Sequence, residues 1–264
     1  SVFQDCPLLS QLSVQSTVWH AMKQNFCYGC STLGGFTIPS PVESLGENCF
    51  YGCSILGSIS IPSTVKTICK NAFKLCHALK QVTIPDSVKT IEDCAFYDCI
   101  SLTSMTIQSS VTTIGSSVFA GCTSLTQIVI PSSVRMIKND CFHWCYRLVK
   151  ITMNPYKTIV ENNSFDDCEL TNLTFDSSVE SIEKYDFNKF PKLTTIVIPS
   201  SANTIKANAF EGCSSLTSIT IPAVKTIENS AFKNCSSFKQ IPLPSTITSI
   251  GTQFFEGCSS LTQM

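Results

Sequence analysis

Sixteen cysteines in 264 residues could bind a metal, form a disulfide framework or supply a nucleophile, and their spacing separates these chemistries. Eleven of them form one series: Cys6, Cys30, Cys53, Cys76, Cys99, Cys122, Cys145, Cys168, Cys213, Cys235 and Cys258. An odd series cannot pair completely, Phe190 fills the slot between Cys168 and Cys213, and the pattern needs no partner cysteine within a unit. The series therefore reads as a spine of buried thiols, each acting as a small hydrophobe, although stacked neighbours approach the spacing a disulfide needs. Off the series lie Cys27, Cys49, Cys69, Cys94 and Cys141. Cys49 and Cys141 directly precede Phe50 and Phe142 and are expected in the core, whereas Cys69 and Cys94 are expected to be exposed and reactive. The run 141–145, Cys-Phe-His-Trp-Cys, matches no common zinc spacing. His20, His77 and His143 fall at different phases of the chain's periodicity, so no Cys–His or Ser–His pair follows from it. There is no Gly-rich phosphate loop. Acids gather at Glu161, Asp166, Asp167, Glu169, Asp176, Glu180, Glu183 and Asp186 without a compact calcium loop, and read as a solvated face or a partner-specific patch. The expectation is a chain with no catalytic residues, no metal and no cofactor.

What positions these residues is a repeat. Phenylalanine recurs at Phe50, Phe73, Phe96, Phe119, Phe142 and Phe165, then at Phe187, Phe210, Phe232 and Phe255, in steps of 22 or 23 residues. Phe3 opens the series, and Cys27 takes the slot in the second unit with Phe26 just before it. The column cysteine follows three residues later, then a leucine such as Leu79 or Leu125, then two aliphatics one residue apart, such as Val82 and Ile84. Proline often comes next, and then a Val and an Ile three apart, such as Val134 and Ile137. Leu-x-x-Ile-x-Ile alternates with period two and reads as a short strand. Proline has no N–H and ends it. Val-x-x-Ile reads as a second extended piece, and Ala-Phe-x-x-Cys as a helical or 3₁₀ turn. A single unit cannot bury its apolar face, so the units must stack. Eleven units and a truncated twelfth are expected, in one solenoid spanning 1–264 whose ends are cut within repeats.

Residues 115–134, GSSVFAGCTSLTQIVIPSSV, and 209–224, AFEGCSSLTSITIPAV, resemble the BspA-like (Treponema pallidum type) leucine-rich repeat, and the resemblance runs through essentially the whole chain. It implies an α/β-repeat solenoid with a parallel sheet on a concave face. It also implies a non-enzymatic surface protein of host-associated bacteria or trichomonad-type protists that binds host or extracellular-matrix proteins.

On the strand, the residues flanking the central aliphatic should face solvent. These columns supply the candidate binding face: Thr83, Ser104, Thr106, Gln127, Val129, Lys150, Thr152, Asn172, Thr174 and Thr195. Lys150 is the only charge in them, so the face is polar, uncharged and suited to a protein partner. A regular threonine ladder is broken by Val129, Val197 and Pro242. Charged residues make up 14% of the chain, and 18 Lys+Arg nearly balance 19 Asp+Glu, which argues against a nucleic-acid groove or a polybasic membrane patch. No apolar run is long enough for a membrane helix. Asn162, Asn172 and Asn234 begin N-x-Ser/Thr sequons, a number that chance alone supplies in a chain this rich in Ser and Thr. The expected location is the cell surface or outside the cell. The alternative is a cytoplasmic scaffold whose thiols never meet an oxidant.

Overall fold

A computed structural model describes residues 2–13, 20–161, 163–185, 187, 190 and 192–263. The sequon at Asn162 and the acid at Asp186 lie outside the described residues. Two compact units are present: Ser1–Leu148 with Thr158–Glu169, and Val149–Lys157 with Leu170–Met264.

Each unit is built from the two short strands read in the repeat. In the first unit the Leu-x-x-Ile-x-Ile strands are Gln81–Thr83, Ser104–Thr106 and Gln127–Val129, paired in parallel. Its second sheet stacks the Val-x-x-Ile pieces as Thr67–Ile68, Thr90–Ile91, Thr113–Ile114 and Met136–Ile137, all parallel and in register. The second unit repeats the plan with Lys150–Met153, Asn172–Phe175, Thr195–Val197 and Ser218–Thr220 in one sheet. Its other sheet holds Ser181–Ile182, Thr204–Ile205, Thr226–Ile227 and Ser249–Ile250. Parallel in-register stacking is what a repeat of constant length produces, because identical columns fall one above the next.

Those columns form the core. Phe50, Phe73, Phe96, Phe119, Phe142 and Phe165 stack face to face with ring centroids 5.2–6.0 Å apart. In the second unit Phe187, Phe210 and Phe232 do the same at 5.5 and 5.1 Å. Where Cys27 takes the Phe slot, Phe26 and Phe36 bridge to Phe50 and refill the stack. Phe190, in its cysteine slot, keeps the local turn: its N–H donates to the Phe187 carbonyl at 2.9 Å, as Cys76 N–H does to Phe73 at 3.2 Å.

Two expectations are corrected. The Ala-Phe-x-x-Cys segments are not helical, and no α-helix occurs among the described residues. The cause is a pair of left-handed residues flanking each Phe. Asn25, Asn48, Asn71, Ser117, Asp140 and Asn208 have φ of 54–58° two residues before the Phe slot. Gly29, Gly52, Gly121 and Gly212 have φ of 71–76° two residues after it. A right-handed helix cannot pass through either position, so the chain turns twice instead. The N–H groups of these turns bond to the next coil, as Phe50 N–H does to the Ala72 carbonyl at 2.9 Å. The architecture is therefore a parallel β-solenoid with turns, not an α/β repeat. About ten turns are formed among the described residues, not twelve.

Leu75 (φ 62°) and Trp144 (φ 61°) stand where other coils place glycine. A Cβ in this conformation costs roughly 1–2 kcal/mol, part of which glycine's greater freedom in the unfolded chain offsets. Leu75→Gly and Trp144→Gly are therefore each expected to raise stability by about 0.5–1 kcal/mol, read as a higher urea midpoint. A lower midpoint would mean that side-chain packing outweighs backbone strain at these turns.

Candidate functional site

Hydrogen-bonding side chains fall into two sets, those consumed by stacking and those left facing outward. Stacking consumes the column thiols. Each Sγ–H donates to the carbonyl in the Phe slot of the preceding coil: Cys30 to Phe3, Cys76 to Phe50, Cys99 to Phe73, Cys122 to Phe96, Cys145 to Phe119 and Cys168 to Phe142, at 2.9–3.3 Å. The same carbonyl also receives the N–H of the column residue in its own coil, so both lone pairs are used. A thiol suits this slot because it is apolar enough to be buried beside Phe yet still donates.

All sixteen cysteines are free thiols. Burial pushes the Cys53 thiol up to about 12, and Cys76, Cys99 and Cys122 well above the ordinary thiol range. Cys49 and Cys141 are in the core. Cys69 and Cys94 do not meet the expectation of exposed, reactive thiols. Both are half-buried, and burial, reinforced by Glu92 and Glu47 for Cys69, raises Cys69 to about 11 and Cys94 above its usual value. Little thiolate exists at either at neutral pH.

Many hydroxyls are consumed as well. Ser87, Ser133, Ser201 and Thr246 each donate to the carbonyl of the Val one coil back, at 2.6–2.8 Å. Thr103, Thr194 and Thr217, just before the first strand, donate to backbone carbonyls of the previous coil at 3.2–3.4 Å. Asn25, Asn48 and Asn71 form an amide ladder with bonds of 3.0 and 2.9 Å.

The candidate face belongs to the other set. In the first unit Gln81 pairs with Ser104, and Thr83 with Thr106, which pairs with Val129; all are exposed beside buried Val82, Met105 and Ile128. In the second unit one row runs Lys150, Asn172, Thr195, Ser218 and the other Thr152, Thr174, Val197, Thr220. Here Lys150 is exposed, whereas Thr152, Asn172, Thr174 and Thr195 are half-buried. The candidates thus divide into Thr83, Ser104, Thr106, Gln127 and Val129 on one unit and Lys150, Thr152, Asn172, Thr174 and Thr195 on the other. Among the described residues no side-chain hydrogen bond engages Thr83, Ser104, Thr106, Gln127, Thr152 or Thr174, although Asn172 donates to the Thr171 hydroxyl at 2.9 Å.

His143 and Asp176 have close neighbours. His143 Nδ1 lies 3.8 Å from the Asp167 carboxylate, and the His143 ring lies 4.4 Å from Trp144. Asp176, which replaces the strand-ending proline, accepts the Ser178 N–H at 2.8 Å and so caps a turn. Among the described residues no three His, Cys, Asp or Glu side chains converge on one point that could hold a metal. Among the described residues there is no helix long and apolar enough to cross a membrane.

One surface feature went unread in the sequence. Tyr28 and Tyr51 stack at 4.7 Å, and Lys74 Nζ lies 4.4 Å from the Tyr97 ring and 5.9 Å from Tyr51. These four residues directly follow the Phe slot in consecutive coils, so aligning the repeats would have shown them.

Comparison with known proteins places these columns. The profile of the BspA type leucine rich repeat region matches in six copies, over residues 1–56, 43–168 and 158–264. A leucine rich cell surface protein from Faecalibacterium prausnitzii has a similar fold, with 24% identity over 96% of this chain and 86% of that one and a TM-score of 0.56. A leucine-rich repeat protein from Bacteroides ovatus is 22% identical over 96% of this chain and 86% of that one, with a TM-score of 0.48. The T. pallidum leucine rich repeat protein is 22% identical over 99% and 88%, with a TM-score of 0.43. No curated protein matches the chain.

Proposed function

Because the chain belongs to the BspA-type leucine-rich-repeat family, we propose that it is a non-enzymatic binding module that engages a protein partner through the outward rows of its first sheets. The observation that carries this reading is the division of hydrogen-bonding groups. Ser and Thr beside the strands are tied into inter-coil ladders, whereas Thr83, Thr106 and Gln127 on them keep their donors and acceptors for another molecule. Rows nearly free of charge suit many modest hydrogen bonds and apolar contacts, with Val129, 53% exposed, as the apolar element. The F. prausnitzii protein of this fold is a cell surface protein, and display at a surface, facing extracellular-matrix or host-cell proteins, is part of the proposal.

The test measures binding of the chain to a panel of extracellular-matrix proteins by surface plasmon resonance. Thr106→Lys with Gln127→Lys on one unit, or Thr152→Lys on the other, is expected to weaken binding at least about tenfold by placing an unpaired charge in the interface. The thermal transition should not move, and the parent affinity should change little with salt. Unchanged affinity in all variants removes the strand rows as the binding face.

A second reading is an intracellular scaffold, favoured by sixteen thiols that are free and largely buried. Digestion of intact cells with an impermeant protease separates the two: the surface module is cleaved, and the scaffold survives until the cells are lysed.

A further inference from the structure

Phe190 interrupts the thiol spine, and the coil after it differs from every sealed coil. A cavity of about 620 Å³ opens within the second unit, with an apolar wall of Phe187, Phe190, Leu193 and Leu216 and with Cys213 in its lining. Lys184 and Glu211, 3.5 Å apart, also line it. Cys213 is half-buried, whereas Cys76, Cys99, Cys122 and Cys145 are completely enclosed. Those four Sγ–H groups are each held by a carbonyl one coil back, but among the described residues no carbonyl holds Cys213. The side-chain partner it does have is the Cys235 thiol.

Its nearest column neighbour is Cys235, fully buried, with Sγ 3.0 Å from the Phe210 carbonyl. The two turns are fastened by Phe210 N–H to the Ala231 carbonyl and Gly212 N–H to the Lys233 carbonyl, both 2.8 Å. The Phe210 and Phe232 rings, three residues before each cysteine, are 5.1 Å apart. Coils stacked at a strand spacing of about 4.8 Å bring successive column residues within the roughly 4.4–6.8 Å Cα spacing that a disulfide spans.

We propose that Cys213 and Cys235 are a hydroperoxide-reactive pair, in which Cys213 meets the oxidant in the cavity and Cys235 closes a disulfide onto it. The adjacent Cys235 thiol holds the Cys213 thiol below its ordinary range against the opposing effect of burial. In the first step the Cys213 thiolate attacks one peroxide oxygen. An S–O bond forms, the O–O bond breaks, and the departing oxygen takes a proton to leave as water or an alcohol. In the second step the Cys235 sulfur attacks the sulfenic sulfur. The S–S bond forms, the S–O bond breaks, and the hydroxyl leaves as water with the Cys235 proton. Two thiols lose two electrons in total and one peroxide gains them. Cys76, Cys99, Cys122 and Cys145 are sealed from solvent and lie outside this cavity.

The test exposes the reduced, folded chain to one equivalent of hydrogen peroxide, quenches with iodoacetamide and maps the peptides by mass spectrometry. A Cys213–Cys235 cross-link is expected first. Cys235→Ser should leave a sulfenic acid on Cys213 that dimedone traps, and Cys213→Ser should abolish the cross-link. Native alkylation of the unmutated chain, which requires no variant to fold, should modify Cys213 at least about tenfold faster than Cys76 or Cys122. A first cross-link elsewhere, such as Cys235–Cys258, or a Cys213 alkylation rate equal to that of the sealed thiols, overturns the proposal.

Discussion

Replacing Phe96 by alanine is expected to cost about 3–5 kcal/mol, the range for removing a fully buried aromatic side chain. Phe96 has no exposed surface and stacks on Phe73 at 5.2 Å and on Phe119 at 6.0 Å. The cavity cannot collapse, because the coils on both sides are fixed by backbone bonds such as Phe73 N–H to the Ala95 carbonyl at 2.8 Å and Phe96 N–H to the Val118 carbonyl at 3.0 Å. Stability in a stacked array is close to a nearest-neighbour sum, so a loss at an interior coil weakens two interfaces at once. The denaturant midpoint should fall and the transition should broaden as coupling across the damaged coil is lost. Phe255→Ala is the control. That ring is half-buried in a terminal coil, 5.7 Å from Phe232, and its loss should cost only about 1–2 kcal/mol. Equal losses at the two positions would show that ring stacking within the array is not the main source of cohesion.

The same columns explain how far the sequence could be read. Phe, Cys, Leu and the paired aliphatics recur at fixed phase, and each column lies inside because a constant repeat superimposes it on its neighbours. Both strands were legible for the same reason: Val82 between Gln81 and Thr83, and Ile68 after Thr67, show which side is buried. The turn around Phe was misread because apolar spacing does not report backbone handedness. The signal was present in residue types: asparagine at 25, 48 and 71, and glycine at 29, 52, 121 and 212, tolerate positive φ. Leu75 and Trp144 at the same phase blur that column. The thiol ladder was out of reach for a different reason. The spacing shows that Cys99 is buried, but its donation to the Phe73 carbonyl depends on the offset between coils, which period alone does not set. The binding rows are intermediate. Their exposure follows from alternation, but Thr106 differs from the ladder-forming Thr103 only through hydrogen bonds that the three-dimensional stack decides.

Gly115→Ala is expected to destabilise the chain by about 2–3 kcal/mol, the cost of forcing extra volume into packed backbone. A Cβ at this position would lie 2.5 Å from the Asp93 nitrogen and 2.7 Å from the Glu92 carbonyl carbon. Both are main-chain atoms, so no rotamer change relieves the clash. The close approach has a local cause: Gly115 N–H donates to the Ile91 carbonyl at 2.8 Å, and Ser116 N–H to the Asp93 carboxylate at 2.7 Å. Two preceding coils place Cys69 and Glu92 in this column, and there the bonding runs in reverse, with the Glu92 carboxylate accepting the Lys70 N–H at 2.9 Å. Accommodating alanine at 115 therefore means giving up the Asp93–Ser116 bond and shifting a coil that its neighbours hold. Gly35→Ala supplies the comparison, since a Cβ there meets nothing within 4 Å and the residue is an exposed strand position. That variant should be neutral or slightly stabilising, because alanine reduces the freedom of the unfolded chain. Urea titration of both variants decides the matter: if Gly115→Ala melts no earlier than Gly35→Ala, close packing of main chain between coils is not what requires glycine at 115.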